Sequence, residues 1–245
     1  MTRGAGAALR AHLSSPLADL LGGLDALMAG GPRALAILFA GVAGGWWIYV
    51  PLHELLHAAG CVAAGGSVSR LEIDALYGGA LWARIFPFVS SGSRYAGRLS
   101  GFDTHGSDLA YLATDLAPFL LTVWPGVWLL RRAARAGRAW LYGLLVPVAF
   151  APFVSLPGDA YEIGSLAAVN TFWRASGDRS LLVGDDVALR FAELARLTSG
   201  APWGGFAYAA IAGIAWAVAT YALASRFASR LGEGPLSPPA PRSPR

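Results

Sequence analysis

The chain has 245 residues, of which 55% are hydrophobic and only 14% charged, and its formal net charge is +4. Soluble domains usually carry about 25% charged residues, and disordered chains combine low hydrophobicity with high charge, so most of the sequence fits neither class. The single cysteine, Cys61, excludes a disulfide scaffold. The composition therefore indicates a multi-pass membrane protein with the lipid bilayer as a partner.

All 19 basic residues are arginine. No basic stretch is interleaved with aromatic residues, so we expect no nucleic-acid partner and interpret the arginines as flanks of membrane spans. The absence of lysine in a chain rich in alanine and glycine favours a bacterial cell membrane as its location.

Residues 1–33 form the first predicted segment. Leucines recur at three- and four-residue spacing from Leu9 to Leu27, while Asp19 and Asp25 interrupt the apolar run. This pattern is not typical of a signal peptide and predicts an amphipathic helix on the membrane surface.

A membrane-embedded domain is predicted over residues 34–225. It contains four apolar stretches of about the length needed to cross a bilayer. They cover residues 34–64, 109–130, 139–156 and 206–225. The first is too long for one upright crossing, and Pro51 predicts a break in it.

Two polar segments separate these stretches. In the first, residues 65–108, the runs 68–73 and 81–86 alternate as strands do, and Gly78–Gly79 lies between them as a turn. The second, residues 157–205, is mixed and contains a predicted short helix near 186–197. The fold class is therefore an all-α polytopic membrane protein, with about four spans and a small β-hairpin or sheet at one membrane face. Residues 226–245 are predicted to be a disordered, proline-rich tail.

Connectivity through four spans places both polar segments on one face of the membrane. Four arginines crowd the short loop after the second span. The positive-inside rule taken alone favours a cytoplasmic position for that loop and both termini, and the sequence leaves the absolute orientation open. These residues are Arg131, Arg132, Arg135 and Arg138.

His53, Glu54 and His57 form an HExxH motif inside the first apolar stretch. Positions i and i+4 of a helix project from one face, so both imidazoles can reach the same metal ion. Two histidines, a carboxylate and an open position for water are typical of catalytic zinc, and Glu54 can take a proton from that water. The motif predicts one zinc ion per chain, with His53 and His57 as ligands and Glu54 as general base.

The third zinc ligand is expected just after the third span, which returns to the face where the first span ends. Asp159 follows the helix-breaking pair Pro157–Gly158 there and is the predicted ligand. Glu162, one helical turn further on, is the alternative ligand, and a helix cap is the other interpretation of Asp159.

Two more polar residues are secondary candidates. His105 precedes the second span on the same face, where it could ligate the metal, assist catalysis or be a solvated loop residue. Asp115 lies inside the second span, where a carboxylate indicates a functional site. It could orient a ligand histidine or pair with an arginine.

The order of these motifs resembles the site-2 protease family of intramembrane zinc metalloproteases. The resemblance covers about residues 35–165 and is carried by residues 53–59, 65–68, 71–73 and 78–80. It implies an HExxH motif at the end of a membrane helix, followed by a glycine turn, β-strands and a carboxylate on a later helix. By this resemblance His53 and His57 are ligands, Glu54 is the base and Asp159 is the third ligand.

The leading functional hypothesis is an intramembrane zinc endopeptidase that hydrolyses a membrane-anchored protein or peptide by zinc-activated water. An exposed strand within 65–90 could capture the substrate by strand addition. One alternative is a membrane zinc hydrolase acting on a small peptide or a lipid-like amide or ester. The other is a non-catalytic metal-binding membrane protein.

Overall fold

The computed structural model describes residues 2–172, 179–197 and 199–236. The chain is mostly helical, with one small sheet. It divides into two compact units, of which the first comprises the described residues of 1–46, 121–152 and 218–245 and the second those of 47–120 and 153–217.

The regular elements follow one another closely along the chain. The helices are α1 Thr2–Leu13, α2 Ser15–Met28, α3 Gly31–Ala63, α4 Gly79–Ile85, α5 Asp108–Leu116, α6 Val127–Arg135, α7 Ala139–Ala149, α8 Ala151–Val154, α9 Asp159–Phe172, α10 Arg179–Leu182, α11 Val187–Ala195 and α12 Trp203–Arg230. The strands are β1 Ser67–Ile73, β2 Val89–Ser91 and β3 Gly97–Asp103.

Three helical stretches of the described chain are long and apolar enough to cross a membrane. They are α3, the stretch Asp108–Arg135 that includes α5 and α6, and α12. These match the predicted spans 34–64, 109–130 and 206–225. The predicted span 139–156 consists instead of the 11-residue α7 and the four-residue α8. An 11-residue helix is about 16 Å long, roughly half the hydrocarbon thickness of a bilayer, so four spans are not confirmed.

The outward faces of the two longest helices are apolar. Large hydrophobic side chains are exposed along both of them, as lipid-facing surfaces require. On α3 these include Phe39, Trp47, Ile48 and Val62, and on α12 Ile211, Ile214, Leu223 and Phe227.

The predicted break at Pro51 is wrong, because α3 runs through this residue as one 33-residue helix. A proline in a helix removes one N–H donor, and the turns on either side of Pro51 continue the helix without it. The irregular proline lies in the second span, where Trp124 leaves the helical region (φ −152°, ψ 127°) immediately before Pro125. The residue before a proline is sterically biased away from helical conformation.

A buried ion pair joins helices of the first unit. Arg131 of α6 lies 2.8 Å from the Asp19 carboxylate of α2, and both side chains are completely buried. The Tyr221 hydroxyl donates to the same carboxylate at 3.0 Å, and Arg131 also donates to Ser225 Oγ at 2.6 Å. Asp19 therefore anchors the helical N-terminal segment. Arg131 is a buried residue of helix α6 and not part of the exposed basic loop that the sequence predicted.

The disordered tail was predicted to begin at residue 226, but the chain is still ordered there. Residues 226–230 continue α12, and the backbone N–H of Leu236 donates to Asp19 at 2.9 Å. Arg131 donates to the carbonyl of Glu233 at 2.8 Å. These bonds attach the segment that follows α12, up to residue 236, to α2 and α6 of the same unit. Residues 237–245 lie outside the described part.

The sheet belongs to the second unit and has the order β2-β1-β3. The central strand β1 pairs in parallel with β2 and antiparallel with β3. Leu71, Ile73 and Val89 form its buried core. The predicted strand 68–73 is confirmed as part of β1, and the predicted small hairpin or sheet is a three-stranded sheet.

The second predicted strand, residues 81–86, is wrong because residues 79–85 form α4. Gly78 adopts a left-handed conformation (φ 77°) and starts this helix. Trp82 and Phe86, four residues apart, stack with ring centroids 6.2 Å apart, which is a helical neighbour relation. A short apolar run fits a period of two and a period of four about equally well.

Helices also form in the second polar segment. The predicted short helix is confirmed as α11, whose preceding residue Asp186 accepts a hydrogen bond from the Leu189 N–H at 2.9 Å. Helix α9 was not predicted. Its signals are Pro157–Gly158 before it and the two acidic residues of its first turn, Asp159 and Glu162, which favour a helix N-terminus.

We predict that Asp19→Asn destabilises the protein by about 3–5 kcal/mol, because it leaves the buried Arg131 guanidinium without its counter-ion. Thermal unfolding in detergent measures the effect as a lowered midpoint. Asp25→Asn is the matched control, since Asp25 is an exposed aspartate of the same helix. Equal midpoints for the two variants would show that the ion pair does not hold these helices.

Candidate metal centre

The HExxH motif occupies the second half of α3, where its residues share one face. His53 and His57 are one turn apart, and their Nε2 atoms are 3.0 Å from each other. Two nitrogen ligands of one tetrahedral zinc ion are separated by roughly 3.3 Å. The helix therefore directs both imidazoles to one point, as the i, i+4 spacing predicts.

Each imidazole is held through its other ring nitrogen. His57 Nδ1 lies 2.8 Å from the Thr114 carbonyl oxygen of α5, and His53 Nδ1 lies 2.9 Å from the Tyr49 hydroxyl. A carbonyl only accepts, so His57 donates from Nδ1, and a neutral ring then keeps its lone pair on Nε2. A second hydrogen bond of this kind fixes the orientation of a metal-ligating histidine.

Gly60 lets α5 approach α3 closely enough for this contact. A Cβ at Gly60 would stand 2.6 Å from the carbonyl oxygen of Ala113. Small residues allow such close helix packing, and here the approach carries the Thr114 carbonyl to the His57 ring.

Asp159 joins the two histidines from the first turn of α9. Its Oδ2 lies 3.0 Å from His53 Nε2, and its Oδ1 lies 3.6 Å from His57 Nε2. Burial raises the pKa of the Asp159 carboxyl, but the attraction of the two imidazoles outweighs burial, and its pKa lies below its ordinary value. The group is therefore an anionic oxygen donor facing two nitrogen donors.

This donor set fits zinc. His53, His57 and Asp159 each offer one ligand atom, and these atoms lie within 4.8 Å of one another. Two imidazole nitrogens and one carboxylate oxygen leave a fourth tetrahedral position open, which is the arrangement of catalytic rather than structural zinc.

Glu54 lies beside this cluster in a cavity of about 630 Å³. Strand β3 approaches the glutamate so closely that a Cβ on Gly97 would stand 2.4 Å from Glu54 Cγ. The cavity is lined by residues from α3, β3, α5 and the start of α9, together with the loop before α11. His57, Asp159 and Glu54 thus line the same cavity.

The secondary candidates take different places. Glu162 accepts a hydrogen bond from the Tyr111 hydroxyl, and Asp159 takes the position nearest the imidazoles. Burial raises the pKa of Glu162 to about 7; the Tyr111 hydrogen bond lowers it and the Asp159 charge raises it further. His105 is exposed in the turn after β3, with its Nδ1 3.2 Å from Asp103, and it does not line the cavity.

Asp115 plays neither of the parts proposed from the sequence. The Thr114 carbonyl holds His57 and the Tyr49 hydroxyl holds His53, while the arginines that line the cavity pair with Asp185 and Glu193. The side chain lines the cavity, and its Oδ2 has no hydrogen-bond partner among the described residues.

Sequence reasoning missed three groups around the site. Tyr49 lies four residues before His53, so the helical spacing was a signal that could have identified it. Tyr111 has the same spacing from Asp115. The Thr114 contact is made by a backbone carbonyl, which every residue carries, so the sequence offers no signal for it.

We predict that the purified protein binds about one zinc ion per chain, and that His53→Ala, His57→Ala and Asp159→Ala each lose it, because each removes one of three donors. Metal analysis after size-exclusion chromatography measures the content. His105→Ala is the control and should retain the metal. Full occupancy in any of the three cluster variants would contradict the ligand assignment.

The comparisons with known proteins add no relative from which a role could be transferred: no protein-family model, curated protein or solved structure matches this chain.

Proposed function

We propose that the protein is an intramembrane zinc metalloprotease of the site-2 protease type, which cleaves a membrane-anchored protein or peptide. The observation that carries the proposal is that His53, His57 and Asp159 converge within 4.8 Å, beside a cavity that also contains Glu54. A purely structural metal site would not require a glutamate at that position.

The chemistry divides between the ion and the side chains. Zinc, when bound, makes a water molecule acidic and polarises the scissile carbonyl. Glu54 accepts the proton from that water and passes it to the leaving amine nitrogen. Thr114 and Tyr49 keep the two imidazoles oriented, and Asp159 supplies the negative charge that balances the metal.

The sheet suggests how a peptide would reach this site. Strand β1, within the segment expected to capture substrate, is the central strand and is paired on both sides over residues 71–73. The outer edges belong to β2 and β3, and β3 residues line the cavity beside Glu54. We therefore assign substrate capture by strand addition to β3. A helical substrate must unwind before its peptide bonds become accessible.

The membrane setting is part of the same proposal. Three long apolar helices support a membrane location. A fourth crossing would require α7 and α8 to span the membrane together. The absence of lysine among the 19 cationic residues favours a bacterial cell membrane.

A second candidate function is hydrolysis of a small peptide or a lipid-like amide or ester. The cavity volume of about 630 Å³ falls in the range typical of small-molecule sites, which favours this alternative. The edge of β3 beside Glu54 favours an extended peptide instead, and cleavage assays with both substrate classes separate the two.

We predict that Glu54→Gln keeps the metal and lowers hydrolysis by about 10²–10⁴-fold, the usual contribution of a general base. A panel of membrane-anchored peptides, incubated with parent and variant in proteoliposomes, measures cleavage. Zinc content is measured on the same samples. Cleavage at the parental rate would exclude Glu54 as the base, and loss of zinc would indicate a structural role instead.

We also predict that Gly97→Ala lowers hydrolysis by about 10²-fold without loss of zinc, because the added Cβ displaces Glu54. Gly204→Ala is the matched control, since a Cβ at Gly204 meets nothing within 4 Å. If both variants retain parental activity, the contact between β3 and Glu54 does not position the base.

A further inference from the structure

The cavity has a second acidic group beyond the metal cluster. Asp115 of α5 and Glu162 of α9 both line it, and they are 3% and 7% exposed. Tyr111 lies one turn before Asp115 and donates to Glu162. Asp159 lies one turn before Glu162, so Glu162 stands about 4.5 Å further along α9 than the predicted metal ligand.

Neither carboxylate has a cationic partner in the described chain. Two arginines line the cavity, but Arg98 pairs with Asp185 at 3.6 Å and Arg190 pairs with Glu193 at 2.9 Å. No ion pair within 4 Å involves Asp115 or Glu162 among the described residues. Asp115 Oδ2 also lacks a hydrogen-bond donor, although it is buried and belongs to a residue of the cavity wall.

A buried carboxylate without a partner is unfavourable, and a cation entering the cavity removes that cost. This wall offers two carboxylates and one phenol, so a metal ion bound here would take most of its oxygen ligands from water. The only three-donor metal group found among the described residues is His53, His57 and Asp159. An ammonium or guanidinium group, by contrast, binds well between two carboxylates.

We propose that Asp115 and Glu162 form a recognition pocket for a positively charged group of the substrate, either a lysine or arginine side chain or a peptide N-terminus. The charged group would lie within about two residues of the scissile bond, because one extended residue spans about 3.3 Å. This inference rests on the proposed peptidase function, which it extends to the substrate class.

The experiment measures binding rather than cleavage. The full chain with Glu54→Gln, in detergent and loaded with zinc, is titrated against fluorescein-labelled decapeptides of alanine and leucine. One peptide has an internal lysine and an acetylated N-terminus, one has norleucine and a free N-terminus, and the third has norleucine and an acetylated N-terminus. Fluorescence anisotropy gives each Kd, and the first two peptides distinguish a side chain from an N-terminus.

We expect at least one cationic peptide to bind about tenfold or more tightly than the neutral peptide, as for a hydrogen bond to a charged group. Asp115→Asn and Glu162→Gln, each added to Glu54→Gln, should remove this preference and leave the neutral peptide's affinity unchanged. Asp108→Asn removes the same charge from an exposed position of α5, and it should preserve the preference. Asp115→Glu retains the charge and serves as the second variant if Asp115→Asn does not fold.

Equal affinities for all three peptides, or no measurable binding of the cationic ones, would overturn the proposal and indicate a neutral pair that shares a proton. Loss of a second metal equivalent in Asp115→Asn would also overturn it, in favour of a second metal site. A preserved cationic preference in a protein that cleaves no peptide would leave the pocket standing and refute the peptidase function alone.

Discussion

Burying a charged side chain among apolar helices is costly unless it has a partner, and this constraint organises both units. In the first unit, Asp19 and Arg131 form an ion pair, and the hydroxyl of Tyr221 donates a hydrogen bond to the same carboxylate. In the second unit, Asp159 faces two imidazoles. Both clusters join elements that are far apart in sequence. Each therefore fixes how its helices pack, which apolar faces alone would not specify. The first is closed on all sides, whereas the second opens into a cavity, and this difference separates a structural pair from a candidate reaction centre.

The geometry of the candidate centre depends on how closely helix α5 approaches α3. Gly60 removes the side chain that would separate them, and the Thr114 carbonyl then reaches His57. The same helix carries Tyr111 and Asp115 into the cavity at a spacing of four residues. One contact between two helices thus orients a candidate metal ligand and also positions the acidic side chains beside it. Tyr111, Thr114 and Asp115 of α5 therefore all line the cavity, although the span that contains them is apolar overall.

Periodicity and motif spacing predicted the parts of the structure that local sequence determines. The HExxH spacing placed His53 and His57 on one face, and strand β1 alternated as a strand should. Asp159 was found from connectivity, which needs only the order of the spans. The strand predicted over 81–86 was wrong because a run of five apolar or aromatic residues and one arginine is compatible with both a helix and a strand. The fate of Asp115 could not be predicted, since it depends on which carbonyls and cations the fold brings near it, and a sequence does not encode such neighbours locally.

The length of α3 has a consequence for the supply of water. A helix of 33 residues is about 50 Å long, and the hydrocarbon layer is about 30 Å thick. His53 lies 22 residues beyond Gly31, a rise of about 33 Å along the axis. If α3 enters the hydrocarbon near its first residue, the histidines stand at the opposite boundary, beside the headgroups. The proposed hydrolysis would consume one water molecule per turnover, and at that depth the molecule could enter the cavity from the interface without a channel through the lipid.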